Sequence, residues 1–271
     1  MHLSTKIIIA MHKAYQIPAE DLYIPLQVGA AGKPPIQYGD NTLTRDDGGD
    51  NISQKNPNFC ELTGLYYAWK NLDADAIGLA HYRRHFSMKS KQYCKKKGRF
   101  DSLLTKDEAK ALLKRADIVV PAKRKYYIES LYSHYAHTLD ASHLDMARQV
   151  IGEKYPEDLV YVDRAYKQTW GYMFNMMIMP RPLLEEYCSW LFDILFELEN
   201  RIDVSGLDQF SARLFGRVSE ILFNAWVLKK EDEGMSVIEC PVIDMEPVNW
   251  PKKIMGFLAA KFFKKKYKKS F

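Results

Sequence analysis

The sequence predicts an α/β fold, a mainly parallel sheet covered by helices, and three observations carry that prediction. Residues 6–11 (KIIIAM) form a run, apolar after Lys6, that breaks into His12-Lys13, as a central strand buried on both faces should. Two further short runs, DAIGLA at 75–80 and DIVVP at 117–121, also end in basic, polar segments. Stretches with apolar residues at three-to-four spacing alternate with these strands, most clearly at 183–200 and 211–230.

In chain order, the first strand at 6–11 is followed by a second candidate at 22–28, weakened by Pro25, which cannot donate to a central ladder. Residues 29–57 are rich in Gly, Asp, Asn and Pro, and a loop of that length in a compact domain is usually functional or mobile. Asn56 as N-cap and Pro57 at the first helical position start a helix whose face carries Phe59, Leu62, Leu65, Tyr66, Trp69 and Leu72. The strand at 75–80 runs straight into His81-Tyr82-Arg83-Arg84-His85-Phe86. A basic loop is expected at 87–100, then a helix from Thr105, where Glu108 completes a capping box. After the strand at 117–121 the pattern is helical over 126–167. A Met-rich strand follows at 172–180, then the two long helices and a last short strand at 237–240. The expected organisation is one domain over 1–250, with a helical insertion at 126–170, and a tail at 251–271.

With 271 residues, 47% of them hydrophobic and 27% charged, the chain can bury one large core. No apolar run approaches the roughly 18 residues of a spanning helix, and the N-terminal run is too short for a signal-peptide core. The expected location is therefore the cytoplasm. Four cysteines without a CxxC pair argue against a zinc site or disulfide framework, and Cys60 and Cys188 read as small buried hydrophobes. The net charge of +5 is unevenly placed, because 252–269 hold eight lysines and 252–271 no acid. Subtracting those eight leaves −3 for the body, whereas a nucleic-acid binder carries its excess on the folded domain. Nucleic acid is therefore not an expected partner.

The chemistry is expected at the carboxyl ends of the strands. Three such ends, Met11-His12-Lys13, the HYRRH segment and Pro121-Ala122-Lys123-Arg124-Lys125, are basic in a net-acidic body. Converging cations of this kind suit a diphosphate, which Arg binds in bidentate fashion and Lys as a point charge. For one segment alone, solvated loop charge is an equally good explanation. A second constellation joins Asp50-Asn51-Ile52-Ser53 to Glu61-Leu62-Thr63 at the head of the following helix. For Glu61 alone, attraction of an acid to a helix N-terminus would suffice.

Taken together, HKAY, DNIS, ELTGLYYAWKN, IGLAHYRRHF, FNMMIM, YCSWLFDIL and RLFGRVSEILFNAW resemble the DUF4422 family over about residues 5–230. That resemblance implies a GT-A-like glycosyltransferase of capsular, exopolysaccharide or O-antigen synthesis. Its donor would be a UDP-hexose such as UDP-galactose, in pyranose or furanose form, and its acceptor a lipid-linked surface glycan. It places His12, Lys13 and Tyr15 beside the nucleotide, with Asp50, Asn51 and Ser53 on its base or ribose. Glu61 and Thr63 would line the same cleft, and His81, Tyr82, Arg83 and Arg84 would meet the diphosphate. Many GT-A enzymes carry an Asp-x-Asp metal motif at that strand end. Here Asp73-Ala74-Asp75 precedes the strand, so a divalent ion (manganese or magnesium) is left open and the two arginines could take its electrostatic work. An inverting transfer also needs a general base, for which Glu220 is the first choice and Asp208 the reserve. Where the family pattern reads GFLSER this chain has GRVSEI, so Arg217 and Ile221 depart from it. Asn175 and His137 are candidates on the acceptor side, although a buried hydrogen-bonding Asn and a surface His would look the same.

The tail has a separate, physical reading. Phe257, Leu258, Phe262 and Phe263 recur at helical spacing among lysines that include Lys264, Lys265 and Lys266. That is the pattern of an interfacial helix on an anionic membrane, where each Lys adds about 1 kcal/mol of attraction. A peripheral position on the inner face of the cell membrane follows. The rival to a transferase is a non-catalytic subunit that binds a nucleotide sugar or glycan within a membrane assembly.

Overall fold

The structure, a computed structural model, describes residues 4–247. Strands β1 (Thr5–Met11) and β2 (Tyr23–Gln27) open the chain, followed by the two-residue strands β3 (Gln37–Tyr38), β4 (Asn41–Thr42) and β5 (Thr44–Arg45). A short helix α1 (Asn56–Phe59) and helix α2 (Leu62–Asn71) lead to β6 (Ala76–His81) and β7 (Arg84–Phe86). Helices α3 (Lys91–Lys97) and α4 (Lys106–Leu113) precede β8 (Ile118–Pro121) and β9 (Arg124–Lys125). Then come α5 (Leu131–Thr138), α6 (Ser142–Lys154) and α7 (Leu159–Lys167), with β10 (Trp170–Gly171) and β11 (Met177–Pro180) after them. The long helices α8 (Arg181–Arg201) and α9 (Leu214–Asp232) and strands β12 (Val237–Cys240) and β13 (Val242–Asp244) complete the described chain.

The main sheet runs β12-β8-β11-β6-β1-β2-β5, with β7 pairing both β6 and β13. β1 lies parallel between β2 and β6, and β8 is parallel to β12, while β11 inserts antiparallel between β6 and β8. The sheet is thus mainly parallel and flanked by helices, as the alternation predicted. Pro25 is tolerated because β5 reaches only Leu26 and Gln27 of β2, leaving Pro25 on an unpaired stretch of that side. Gly78 is required in β6, since a Cβ there would meet the Met177 carbonyl at 2.8 Å. The side chains of β1 alternate between two cores. Ile8 and Ala10 enter a large one shared with α2, α8 and α9, and Ile7, Ile9 and Met11 a smaller one beneath α4. Helices α5–α7, from the stretch read as an insertion, place Tyr135, Leu144, Val150 and Val162 in that same large core.

Some elements differ from the sequence reading. The single helix expected from Asn56 is broken at Cys60, whose φ of 54° turns the chain between α1 and α2. Cys60 is accordingly half-buried and not inside a helix, whereas Cys188 is buried as expected. The basic loop at 87–100 contains α3, capped by the Ser90 side chain. The strand at 172–180 shrinks to 177–180, because Phe174 (φ 74°) and Asn175 (φ 51°) are both left-handed. The capping box of Thr105 and Glu108 is present. The tail residues Phe257, Leu258, Phe262, Phe263, Lys264, Lys265 and Lys266 lie outside the described residues. Among the described residues no helix is long and apolar enough to cross a membrane.

Candidate active site

The register that pairs Ala10 with His81 brings the carboxyl ends of β1 and β6 out on one edge of the sheet. There the HYRR segment forms a tight reversal, with His81 paired to Arg84 of β7. Tyr82 is buried at this reversal, and the His12 and Tyr15 rings meet it edge-on at 5.0 and 5.2 Å. The Lys13 ammonium and Arg83 guanidinium sit 5.4 and 5.5 Å from the same ring. Solvent reaches His12, yet crowding of the ring and then the charges of Arg83, Lys13, Arg213 and Lys33 hold its imidazole below the ordinary value. His12, Lys13, Tyr15, His81, Tyr82, Arg83 and Arg84 are therefore one cluster.

Helix α9 supplies the opposite wall. Arg213, Arg217 and Glu220 recur at i, i+4 and i+7, so they share a stripe. Gly216 lets that wall approach, since a Cβ there would come within 3.1 Å of the Cys60 side chain. Arg213 donates to Cys60 Sγ at 3.2 Å, and its charge is felt by His12, His81 and Tyr82. Arg217 stacks on Phe210 at 3.8 Å. Burial, then the charge of Glu61, pushes the Glu220 carboxyl up to about 7, against a Phe174 backbone hydrogen bond and the charges of Arg217 and Arg124.

The left-handed pair Phe174–Asn175 ties the two walls together. The carbonyl of Phe174 accepts from His81 Nε2 at 2.6 Å, and its N–H is the backbone donor to Glu220. Its ring lies 4.3 Å from the Arg84 guanidinium and 5.9 Å from that of Arg124. Asn175 is fully buried; its amide donates to Glu61 Oε1 at 2.8 Å and to the Gly216 carbonyl at 2.9 Å, and its oxygen accepts from Ser219. Two consecutive non-glycine residues at positive φ cost about 1–3 kcal/mol each, and these contacts over-determine them. Glu61 thus sits inside the cluster, 4.0 Å from His81 Nε2, and not merely at a helix terminus. Burial is the main cause that lowers the His81 pKa, and Arg84 is held below its usual value by burial too, although Asp244 lies at 3.2 Å.

Other expected residues lie elsewhere. Ser53 and Thr63 are fully buried, and their hydroxyls donate to Asp46, which also accepts the N–H groups of Gly29 and Ala30 at 2.8 and 2.9 Å. They hold the loop after β2. Asp50 is tied to the far end of α2, exchanging two hydrogen bonds with Asn71 and accepting one from Tyr66, and a ten-residue helix spans about 15 Å. Asn51 closes its own turn, bonding Gly49 and Ser53. Asp208 is exposed and caps the turn at Phe210 and Ser211, whose N–H groups hold its carboxyl below the usual range, a poor base. His137, near the end of α5, is bound to Glu129 just before that helix. Asp75 is spent on the backbone and side chain of Ser4 at the opposite end of β6. A shallow hollow of about 220 Å³ lies at that same end, floored by Arg181, whose guanidinium bonds the Trp69 and Leu72 carbonyls; it is remote from the cluster. Among the described residues no three His, Cys, Asp or Glu side chains are grouped to hold a metal ion.

Sequence reasoning missed Arg213 and treated Arg217 only as a departure, although their spacing from Glu220 was the available signal. Arg124 was read only as one cation of a basic strand end suited to a diphosphate, and Asp46 had no signal beyond its loop.

The family model for a domain of unknown function, DUF4422, matches residues 6–231. No curated protein matches the chain. Among solved structures, the apo form of the bifunctional glycosyltransferase WbbM is similar with a TM-score of 0.80 and 29% identity. The match covers 90% of this chain and 46% of that one, so the chain spans less than half the length of that neighbour. The fold is therefore of the GT-A-like kind seen there.

Proposed function

The chain belongs to the DUF4422 family, and from that premise we propose that it is a glycosyltransferase whose chemistry takes place between HYRR and the first turns of α9. The observation that carries the reading is the gathering of five arginines, Arg83, Arg84, Arg124, Arg213 and Arg217, around Glu61 and Glu220 at the strand ends of a net-acidic body. The likeness to a bifunctional glycosyltransferase supports it.

In this proposal the donor is a UDP-hexose, a galactosyl group in pyranose or furanose form, and the acceptor a lipid-linked surface glycan. In an inverting course the acceptor hydroxyl oxygen bonds to the anomeric carbon, and the bond from that carbon to the diphosphate breaks with its electron pair leaving on the diphosphate. Glu220 takes the hydroxyl proton; a carboxyl with a pKa of about 7 is ionised enough to accept it and basic enough to hold it. Arg83, Arg84, Arg213 and Arg217 stabilise the negative charge that accumulates on the leaving diphosphate. His12, Lys13 and Tyr15 flank the nucleotide, and Asn175 holds Glu61. The basic tail at 251–271 would keep the site beside an anionic membrane that also carries the acceptor.

The test is turnover of UDP-, GDP- and dTDP-sugars, with and without manganese, in the full chain and in Arg83→Ala. Hydrolysis of a UDP-sugar above background, reduced about 10²-fold in the variant, is expected. Donor binding without turnover under every acceptor and metal condition would sink the transferase reading in favour of a binding subunit.

A further inference from the structure

A second constellation lies beside the arginine cluster and takes no part in the reaction just described. After β9 the chain passes through buried Tyr126 and reverses at Tyr127, where φ is 59° and the Ile128 N–H donates to the Tyr126 carbonyl at 2.6 Å. This is a three-residue γ-turn of the strained, positive-φ kind, in which an aromatic residue is unfavourable. Tyr127 is 80% exposed, and Ile128 beside it 57%. By contrast Tyr126, Tyr135, Tyr166 and Tyr172 are all buried.

The next residue turns back inward. Glu129 is buried, and its carboxylate accepts from Nδ1 of His134 at 2.9 Å and of His137 at 2.6 Å. A carboxylate can only accept, so His137 carries a proton on Nδ1 and keeps Nε2 for another partner. That ring is 39% exposed. On the other side Arg124 stands 5.2 Å from the Tyr126 ring and 5.9 Å from that of Phe174, and its charge acts on both His134 and Glu220. Arg124 therefore joins this surface to the arginine cluster.

We propose that Tyr127 and His137 form the subsite for one sugar ring of the acceptor glycan, the ring stacking on Tyr127 while a hydroxyl hydrogen-bonds to His137 Nε2. A sugar presents an apolar C–H face and a hydroxyl edge at right angles to it. An exposed aromatic two residues from the carboxylate that holds the His137 imidazole offers one group to each of those two features. A lipid surface would use the exposed ring, Ile128 and the neighbouring lysines, but has no use for an imidazole oriented by a buried carboxylate. This subsite rests on the glycosyltransferase reading, as its acceptor side.

Saturation-transfer NMR on the full chain tests it, with methyl glycosides of galactose, glucose, mannose and rhamnose as probes, each with and without UDP. At least one glycoside should receive saturation from the wild type. Tyr127→Gly, which removes the ring and relieves the positive-φ strain, should reduce that signal at least threefold, and Tyr127→Phe should keep it. His137→Ala should weaken it while leaving the thermal shift given by UDP-sugar unchanged. An undiminished signal in Tyr127→Gly overturns the subsite, and so does the absence of any glycoside signal from the wild type. Loss of phosphatidylglycerol-vesicle binding in Tyr127→Gly with glycoside binding intact also overturns it, in favour of a lipid contact. Failure to bind any nucleotide sugar would strike the donor reading instead, and the glycoside arm would still decide the subsite.

Discussion

Two carboxylate centres, Asp46 fully buried and Glu220 partly so, stand at neighbouring parts of this fold and have opposite surroundings. Asp46 is fully buried and meets two backbone N–H groups and two hydroxyls, so its oxygens are satisfied by neutral donors. Glu220 has one backbone donor, burial, and the nearby negative charge of Glu61, offset only by arginines that solvent also reaches. The first arrangement holds a loop in place; the second leaves a carboxyl near neutrality, able to exchange a proton at physiological pH. The difference teaches that burial of an acid is uninformative until its donors are counted. A carboxylate supplied with neutral donors holds structure, and one left short of them beside a second carboxylate is the one to test for chemistry.

The largest test of this contrast is Glu220→Gln, which should lower transfer about 10³-fold in a turnover assay while donor binding persists. The sign of its stability effect is also determined. Because the folded pKa of about 7 lies above the unfolded value near 4.5, the wild type loses stability as pH rises through that window, and the loss is complete above it. Denaturant melts at pH 8 should therefore find Glu220→Gln more stable by about 1–2 kcal/mol. A destabilised variant would mean that Glu220 is satisfied like Asp46. Next, Asp46→Ala should cost about 3 kcal/mol by stranding buried donors, read as a lowered urea midpoint, with turnover per folded molecule little changed.

Arg213→Ala should reduce kcat/KM for the UDP-sugar about 10²-fold with a melting temperature within a few degrees of wild type. An unchanged kcat/KM would remove the α9 wall from the site. In the wild type, kcat should fall on the acid side of a limb near pH 7, and Glu220→Gln should abolish that limb. The smallest effects are expected from Ser53→Ala and Thr63→Val, about 1 kcal/mol of stability each with no change in donor KM. A raised donor KM in either would return those hydroxyls to the cleft.

The sheet and most helices were legible because their signals are local. The apolar runs of β1, β6 and β8 and the capping box of α4 needed no distant partner to be recognised. Cys60 was read into a helix because Phe59, Leu62 and Leu65 keep the apolar period across the break. Phe174 and Asn175 were read into a strand because the whole of YMFNMMIM is apolar apart from one Asn, and only the partners of that Asn show why it is left-handed. Of the expected site, the HYRR and His12–Tyr15 residues are brought together with Glu61, Asn175 and Glu220. Asp50 is committed to α2, Asp208 to its own turn, and Ser53 and Thr63 to Asp46.

By itself the sequence determined an α/β sheet with basic strand ends, since periodicity and end composition depend on neighbours within one or two turns. It also determined that the excess positive charge belongs to residues 252–269 and not to the body. Only the tertiary structure decided that the charge of Arg213 reaches HYRR, that Asn175 binds Glu61, and that Glu220 and not Asp208 has a carboxyl shifted toward neutrality. Those outcomes depend on the burial of a side chain and on which donors and charges arrive from residues some 40 to 150 positions away, and such quantities exist only once the chain has folded.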